Sequence, residues 1–446
     1  MQSITSHIKK TLSLAYPVMI GQLGFMMMGV VDSIMVGRIG ATPLAAASLG
    51  NSLTLLIFIV GLGTSFAVTP LVAISVGAKQ HEECGIYFRQ SLIVNMSFSI
   101  VLLAVTFLCA DLIRYFNQPA GVVVQATSYT KILGLSVIPT LFFHTYKQFI
   151  EGLSIMRPAM IVTLAANIIN FIGNWIFIYG KLGFPAYGLD GAGWSTFFSR
   201  VFMALVLMIY VMKTNYYKQF DVSFNFRKID LPVIKRILSI GLPSGFQYFF
   251  EVGAFSFAVV MVGWLGTKPL AAHQIAINLA SISFMGVLGI SAAGGIRVGN
   301  AVGQKNITET RKAGFTAILL GAAIMCTSGI TFIILRRFLP SLYIDDKTVI
   351  SIASSLLIIA ALFQISDGVQ AVGIGILRGL TDVKVPTLIT FTAYWIIGLP
   401  VAYLLGFNFN LGVQGVWIGL LLGLTASAIM LTLRFNRRSK SEIFVK

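Results

Sequence analysis

Twelve apolar runs of twenty or more residues leave this chain few ways to fold. They fall at about 12–36, 44–74, 90–110, 127–152, 158–180, 191–212, 237–263, 270–296, 313–335, 349–377, 386–406 and 412–433. Each is long enough to cross roughly 30 Å of hydrocarbon as a helix, and charged or turn-forming residues mark every break. Only 11% of residues are charged, far below the roughly 25% of a soluble domain. The expected fold is an all-α integral membrane protein with twelve transmembrane helices. The first run is too long for a cleavable signal and is expected to remain in the mature chain.

The net charge of +17 is unevenly spread. With the N-terminus inside, about 22 of the 32 Lys and Arg fall on the inner side and about 8 on the outer. That bias sets orientation: both termini are expected in the cytoplasm and the protein in the inner (plasma) membrane. Lys213, Lys218, Arg227, Lys228, Lys235 and Arg236 of the central loop, and Arg434, Arg437, Arg438 and Lys440 of the tail, are expected to lie against anionic headgroups. No nucleic-acid partner is expected. Cys84, Cys109 and Cys326 have no disulfide or metal-type spacing.

Three acids sit deep inside these runs: Asp32, Glu251 and Asp367. A charge at the bilayer centre costs roughly 2.5–3.5 kcal/mol on insertion scales unless it faces protein or a wet cavity. Three such acids in otherwise apolar runs read as cation sites, which makes the chain a transporter candidate.

The chain also repeats itself at an offset of 226 residues. Met35-Val36-Gly37, Gly40 and Pro43-Leu44-Ala45-Ala46 match Met261-Val262-Gly263, Gly266 and Pro269-Leu270-Ala271-Ala272. Pro17 meets Pro243, Gly63 meets Gly289, Lys79 meets Lys305 and Glu83 meets Glu309. Further on, Gly152-Leu153-Ser154 resembles Gly379-Leu380-Thr381. Two six-span lobes are expected, at 1–218 and 237–446, joined by a basic cytoplasmic linker at 219–236. Even-numbered halves enter from the same side, so the repeats are parallel, an arrangement that places a substrate site near the midplane and works by alternating access. The acids do not obey the repeat: Asp32 aligns with Ala258 and Glu251 with Phe25.

Val31-Asp32-Ser33-Ile34-Met35-Val36-Gly37, the two Pro-Leu-Ala-Ala blocks, Glu151-Gly152 before Pro158, and Arg378-Gly379 before Pro386 together resemble the multidrug and toxic compound extrusion (MATE) family, in its NorM-like branch. The resemblance covers all twelve spans. It implies a V-shaped pair of six-helix bundles that exports cationic, amphipathic compounds against inward Na⁺ or H⁺. By the same resemblance, the span 7 and span 10 carboxylates fall on Glu251 and Asp367, which would hold Na⁺, and the span 1 acid on Asp32. The aromatic lining falls on Phe284 and Phe363. Relatives with an amino-lobe cation site carry Asn and Asp in span 5 and Thr in span 6; here stand Asn170, Asn174 and Thr196, one charge fewer.

The residues themselves allow alternatives. Glu251 and Asp367 read as cation ligands or as a polar pair holding helices together. Phe363 lies one helical turn before Asp367, where i, i+4 neighbours touch, and a ring beside an acid can hold an organic cation. Gln247 and Gln274 read as neutral oxygen donors or as interhelical hydrogen-bonding groups, and Asn170, Asn174 and Thr196 as ligands or as polar glue. Lys147 and Glu151 are spaced for a helical ion pair, Arg200 has no evident partner, and His273 reads as a capping or interface residue. Asp345 and Asp346 read as solvated loop residues or as an outer cation vestibule.

No phosphate-cradling loop and no catalytic constellation is present, so neither an enzyme nor a cofactor is expected, and the energy source is an ion gradient. The expected function is cation-coupled multidrug efflux by a monomer. A lipid-linked oligosaccharide flippase is the alternative, although its cavity calls for Arg or Lys and the spans offer chiefly Lys147 and Arg200. A receptor or channel is the other, less suited to a duplicated scaffold.

Overall fold

In a bilayer every backbone N–H and C=O must find its partner within the protein, which restricts crossing segments to helices or closed barrels. The computed structural model describes residues 4–116, 118–222 and 229–440, and among them no residue is in a strand. Arg227 and Lys228 of the expected basic loop lie outside the described residues.

Twelve helices are long and apolar enough to cross a membrane. They are span 1 (Thr5–Gly37), span 2 (Ala41–Gly77), span 3 (His81–Tyr115), span 4 (Ala120–Gly152), span 5 (Arg157–Tyr179) and span 6 (Gly188–Lys213). Then follow span 7 (Leu231–Trp264), span 8 (Thr267–Gly303), span 9 (Ile307–Ile334), span 10 (Lys347–Gly379), span 11 (Lys384–Asn408) and span 12 (Gly412–Arg438). Each expected run became one span, three of them interrupted.

Proline explains the interruptions. Proline lacks an N–H and its ring crowds the carbonyl four residues back. Span 2 accordingly breaks after Ser65, with Pro70 four residues past Phe66, and span 4 breaks after Leu135, with Pro139 four residues beyond it. In span 11 the π-helical stretches Thr392–Gly398 and Leu404–Asn408 flank the short segment that holds Pro400.

The chain forms two compact units. The amino unit runs from Ile20 to Gly245; the carboxyl unit combines span 1 up to Met19 with the chain from Phe246 onward. This division by packing differs from the division by repeat at 1–218, 219–236 and 237–446. Spans 1 and 7 each change unit along their length, two residues beyond Pro17 and Pro243 respectively.

The repeat is visible in backbone geometry. Lys79 and Lys305 both take left-handed φ, 61° and 55°, as do Ser154 and Thr381 at 66° and 56°. In each case the chain closes the same helix-ending motif. Gln80 N donates to Ser75 O (2.8 Å) and Asn306 N to Ala301 O (3.0 Å); Ile155 N donates to Ile150 O (2.9 Å) and Asp382 N to Leu377 O (3.0 Å).

Packing within each unit uses small residues to bring backbones together. A Cβ on Gly379 would lie 2.3 Å from Gly295 O, and one on Gly295 would lie 2.6 Å from Gly375 O, so spans 8 and 10 touch main chain to main chain. The carboxyl-unit core gathers around the fully buried Trp417, with Phe363, Tyr394, Leu356 and Leu420.

Several expected surface cations have protein partners instead of facing only solvent or lipid. Arg434 and Arg438 both reach Asp382, at 2.8 and 3.2 Å, a nearly buried acid between spans 10 and 11. Arg89 grips Asp221 and Arg236 donates to Tyr87 OH (2.8 Å), fastening the linker to span 3. Lys213, Lys218, Lys235, Arg437 and Lys440 remain exposed. Asp346 caps span 10, accepting from Thr348 N (2.8 Å) and Val349 N (3.2 Å), with Lys268 Nζ 3.3 Å away. The Val349 and Thr348 amides, helped by Lys268, hold its carboxyl below the ordinary carboxylate range. The cap is therefore complete at neutral pH and weakens only as acid titrates it.

Thr381→Gly is expected to raise the apparent unfolding temperature in detergent, because a β-branched residue at this φ carries about 1 kcal/mol of strain. Gly295→Leu should lose folded protein on size-exclusion chromatography. Normal folding of that variant would refute the close contact of spans 8 and 10.

Candidate functional site

In the carboxyl unit, Glu251 of span 7 and Asp367 of span 10 lie in one buried cluster, 9% and 5% exposed. Gln370, one turn beyond Asp367, donates from Nε2 to Glu251 Oε1 (3.2 Å) and to Tyr394 OH (2.8 Å). Tyr394 returns its hydroxyl proton toward Gln370 Oε1 (3.1 Å). Asp367 makes no hydrogen bond among the described residues. The charge of Glu251 acts on it, the charges of both acids act on Tyr394, and the Arg378 guanidinium acts on Glu251. The π-helical stretch of span 11 carries Tyr394, the kind of irregular turn that often re-aims a side chain at a functional site.

An aromatic wall adjoins these acids. Phe255, one turn after Glu251, stands 6.0 Å from Phe363 and 5.7 Å from Tyr394 between ring centroids. Phe363 in turn stands 5.6 Å from Trp417, whose Nε1 donates to His273 Nδ1 (3.0 Å). His273 is thus an interface residue inside the core. Phe284 is half-buried and joins none of these ring contacts among the described residues. Gln247 is buried and donates to Thr390 Oγ1 (3.2 Å), while exposed Gln274 donates to Asn278 Oδ1 (3.2 Å) on its own helix. Neither glutamine hydrogen-bonds to these carboxylates among the described residues.

In the amino unit, Asp32 is 7% exposed and accepts a hydrogen bond at each carboxylate oxygen. Asn174 Nδ2 donates to its Oδ1 (2.6 Å) and Thr196 Oγ1 to its Oδ2 (3.0 Å). Asn170 completes the ring through Asn174 (3.3 Å) and Thr196 (3.4 Å). The carboxylate fixes which end of the Asn174 amide faces it, and that leaves Asn174 Oδ1 buried without a donor. Span packing sets this geometry: a Cβ on Gly173 would lie 2.5 Å from Ser195 Oγ, so spans 5 and 6 approach closely beside the cluster. Arg200 is one turn beyond Thr196. It donates to Ser136 Oγ (2.5 Å), lies 5.8 Å over the Phe58 ring, and its charge acts on Asp32.

A second buried group lies in the same unit. Lys147 and Glu151 form the expected i, i+4 ion pair at 3.8 Å, and the Lys147 ammonium sits 5.9 Å over Phe25.

Seven of the ten residues expected at cation or substrate sites fall into these two clusters: Glu251, Asp367 and Phe363 in the carboxyl unit, and Asp32, Asn170, Asn174 and Thr196 in the amino unit. Sequence reasoning passed over Gln370, Tyr394, Phe255 and Trp417. Phe255 and Gln370 were reachable, being one turn from an acid on its own helix. Tyr394 and Trp417 come from other spans and had no local signal.

The family model described as MatE matches residues 17–176 and again 243–404, once in each half. The chain belongs to the MATE family. It is 34% identical over 395 residues to the multidrug resistance protein NorM of Vibrio vulnificus, covering 89% of this chain and 87% of that one. It is 35% identical over 407 residues to the multidrug resistance protein MdtK of Yersinia enterocolitica, covering 91% and 89%. The MATE fold is matched by a MATE crystal structure in the bent conformation at TM-score 0.90, with 20% identity over 99% of this chain and 98% of that one. The eukaryotic MATE transporter AtDTX14 matches at TM-score 0.88, with 21% identity over 98% of both.

Tyr394→Phe strips the Gln370 amide of a partner and is expected to cost about 1–3 kcal/mol, the range for an orphaned buried polar group. Thermal unfolding in detergent measures it, with Phe284→Leu as a control that should cost much less. Equal losses in the two variants would count against the Glu251–Gln370–Tyr394 network.

Proposed function

We propose that this MATE protein is a cation-coupled multidrug efflux antiporter of the inner membrane, with both termini cytoplasmic, working as a monomer by alternating access. The observation that carries the reading is the pairing of Glu251 and Asp367 in one buried cluster beside an aromatic wall. Two carboxylates withdrawn from water are costly unless a positive charge joins them. Asp367, with no hydrogen bond among the described residues, is the group best placed to receive one.

Carboxylate, amide and phenol oxygens of Glu251, Asp367, Gln370 and Tyr394 are hard donors suited to Na⁺. The same carboxylates accept a proton, and Phe363 and Phe255 offer ring faces to an organic cation. Na⁺ or H⁺ and a cationic, amphipathic drug then compete for one set of acids. Each favours the conformation in which it binds better, and that differential affinity drives exchange. In the amino unit, Asp32 with the donor-free Asn174 Oδ1 forms a second polar site, and a cation there would satisfy both. The names of the NorM and MdtK relatives support efflux of drugs rather than an enzymatic reaction.

A lipid-linked oligosaccharide flippase is less well supported. Lys147 is paired with Glu151, and Arg200 is occupied by Ser136 and Phe58, so the cations considered for pyrophosphate have other partners.

Ethidium efflux from everted vesicles, driven by separately imposed Na⁺ and pH gradients, tests the proposal. Removing one charge-assisted ligand is worth about 1.5–3 kcal/mol, so Glu251→Gln and Asp367→Asn should each slow efflux at least about tenfold. Variants pumping at the parent rate under the effective gradient would sink the mechanism.

A further inference from the structure

A second site lies in the carboxyl unit, away from the acids. A cavity of about 330 Å³ opens where three helix ends meet, walled by Lys10 and Ser13 of span 1, Arg297, Asn300 and Gln304 at the end of span 8, and Glu309 at the start of span 9. Span 1 begins at Thr5, span 8 ends at Gly303 and span 9 begins at Ile307. At about 1.5 Å of rise per residue, each of these wall residues lies within about 12 Å of the end of its helix. That is headgroup depth, and the volume is at the small end for ligand pockets.

The walls are basic. The charges of Lys10, Arg297 and Lys312 all act on buried His7, against the single acid Glu309. Arg297 is also held in place. Its Nη1 donates to His7 O (2.9 Å) and Thr11 Oγ1 (2.6 Å), and its Nη2 to His7 Nδ1 (2.6 Å). With Nδ1 accepting, the ring proton stays on Nε2, 3.5 Å from Glu309 Oε2. The guanidinium is thus fixed at the cavity wall before any ligand arrives, and a guanidinium matches the geometry of a phosphate oxygen pair. The face concerned is the one that carries the excess of Lys and Arg, the side where anionic lipid accumulates.

We propose that this cavity binds the phosphate of an anionic phospholipid headgroup, tying the first turns of span 1 to spans 8 and 9. Lys10 and Arg297 contact the phosphate, Ser13, Asn300 and Gln304 offer hydrogen bonds to the glycerol side, and Lys312 adds long-range attraction. Glu309 faces His7 and disfavours a headgroup bearing a second negative group at that wall.

The test uses the full-length protein in detergent, titrated with phosphatidylglycerol, phosphatidylcholine or inorganic phosphate, read by thermal unfolding and by native mass spectrometry of retained lipid. Phosphatidylglycerol should raise the unfolding temperature and remain bound in the gas phase. Lys10→Gln with Lys312→Gln should weaken that effect about tenfold, whereas Lys10→Arg with Lys312→Arg should preserve it, separating lost charge from lost folding. Lys218→Gln with Lys235→Gln removes the same net charge elsewhere and should behave like the parent. Equal protection by phosphatidylcholine, equal protection by inorganic phosphate, or unchanged lipid retention in the Lys10 and Lys312 glutamine variant would each overturn the proposal.

Discussion

A polar group inside the bilayer has only the protein to turn to, and this requirement organises the whole molecule. It forces the backbone into twelve helices, and it forces each buried polar side chain toward another. The outcome is a few dense clusters in an otherwise apolar interior: Asp32 with Asn170, Asn174 and Thr196; Glu251 with Gln370 and Tyr394; Lys147 with Glu151. Thr64, Asn95 and Thr145 form a further chain of bonds at 2.8 Å each, which has the look of plain helix-to-helix glue. Clusters of the first kind differ in holding a charge, or an acceptor, that protein partners leave incompletely matched.

Duplication supplied a scaffold and divergence placed charge upon it. The left-handed turns at Lys79 and Lys305, and at Ser154 and Thr381, are the same structural device used twice. The chemistry at equivalent positions differs. Glu251 in the carboxyl unit corresponds to Phe25 in the amino unit, and Arg378 corresponds to Glu151. Where the Arg378 charge acts on Glu251, Lys147 instead lies over the Phe25 ring. Each unit therefore sets a cation from its fourth repeat helix against its first, with an acid in one unit and an aromatic face in the other.

Much of the candidate site was legible because its groups are expensive where they stand. An acid in an apolar run is conspicuous whatever the fold, so Asp32, Glu251 and Asp367 were evident, and the i, i+4 rule extended the reading to Phe363 and to the Lys147–Glu151 pair. Gln247 takes the interhelical alternative, donating to Thr390 of span 11, while Gln274 bonds Asn278 one turn along its own helix. Periodicity shows which residues share a helix face and is silent about which neighbour that face meets. Arg434, Arg438 and Asp346 read by position as membrane-surface or loop charges, yet a nearby acid and backbone amides engage them.

What the amino-acid order determined alone is what hydropathy and identity can carry over distance: twelve crossings, a twofold repeat and three costly acids. Those properties depend on each segment's own exchange between water and hydrocarbon. Tertiary structure alone decided that Tyr394 and Gln370 meet Glu251, that Trp417 backs Phe363, and that spans 1 and 7 each divide between two packing units. Such pairings arise from backbone approach at residues such as Gly295 and Gly379, whose contact distance no local pattern encodes.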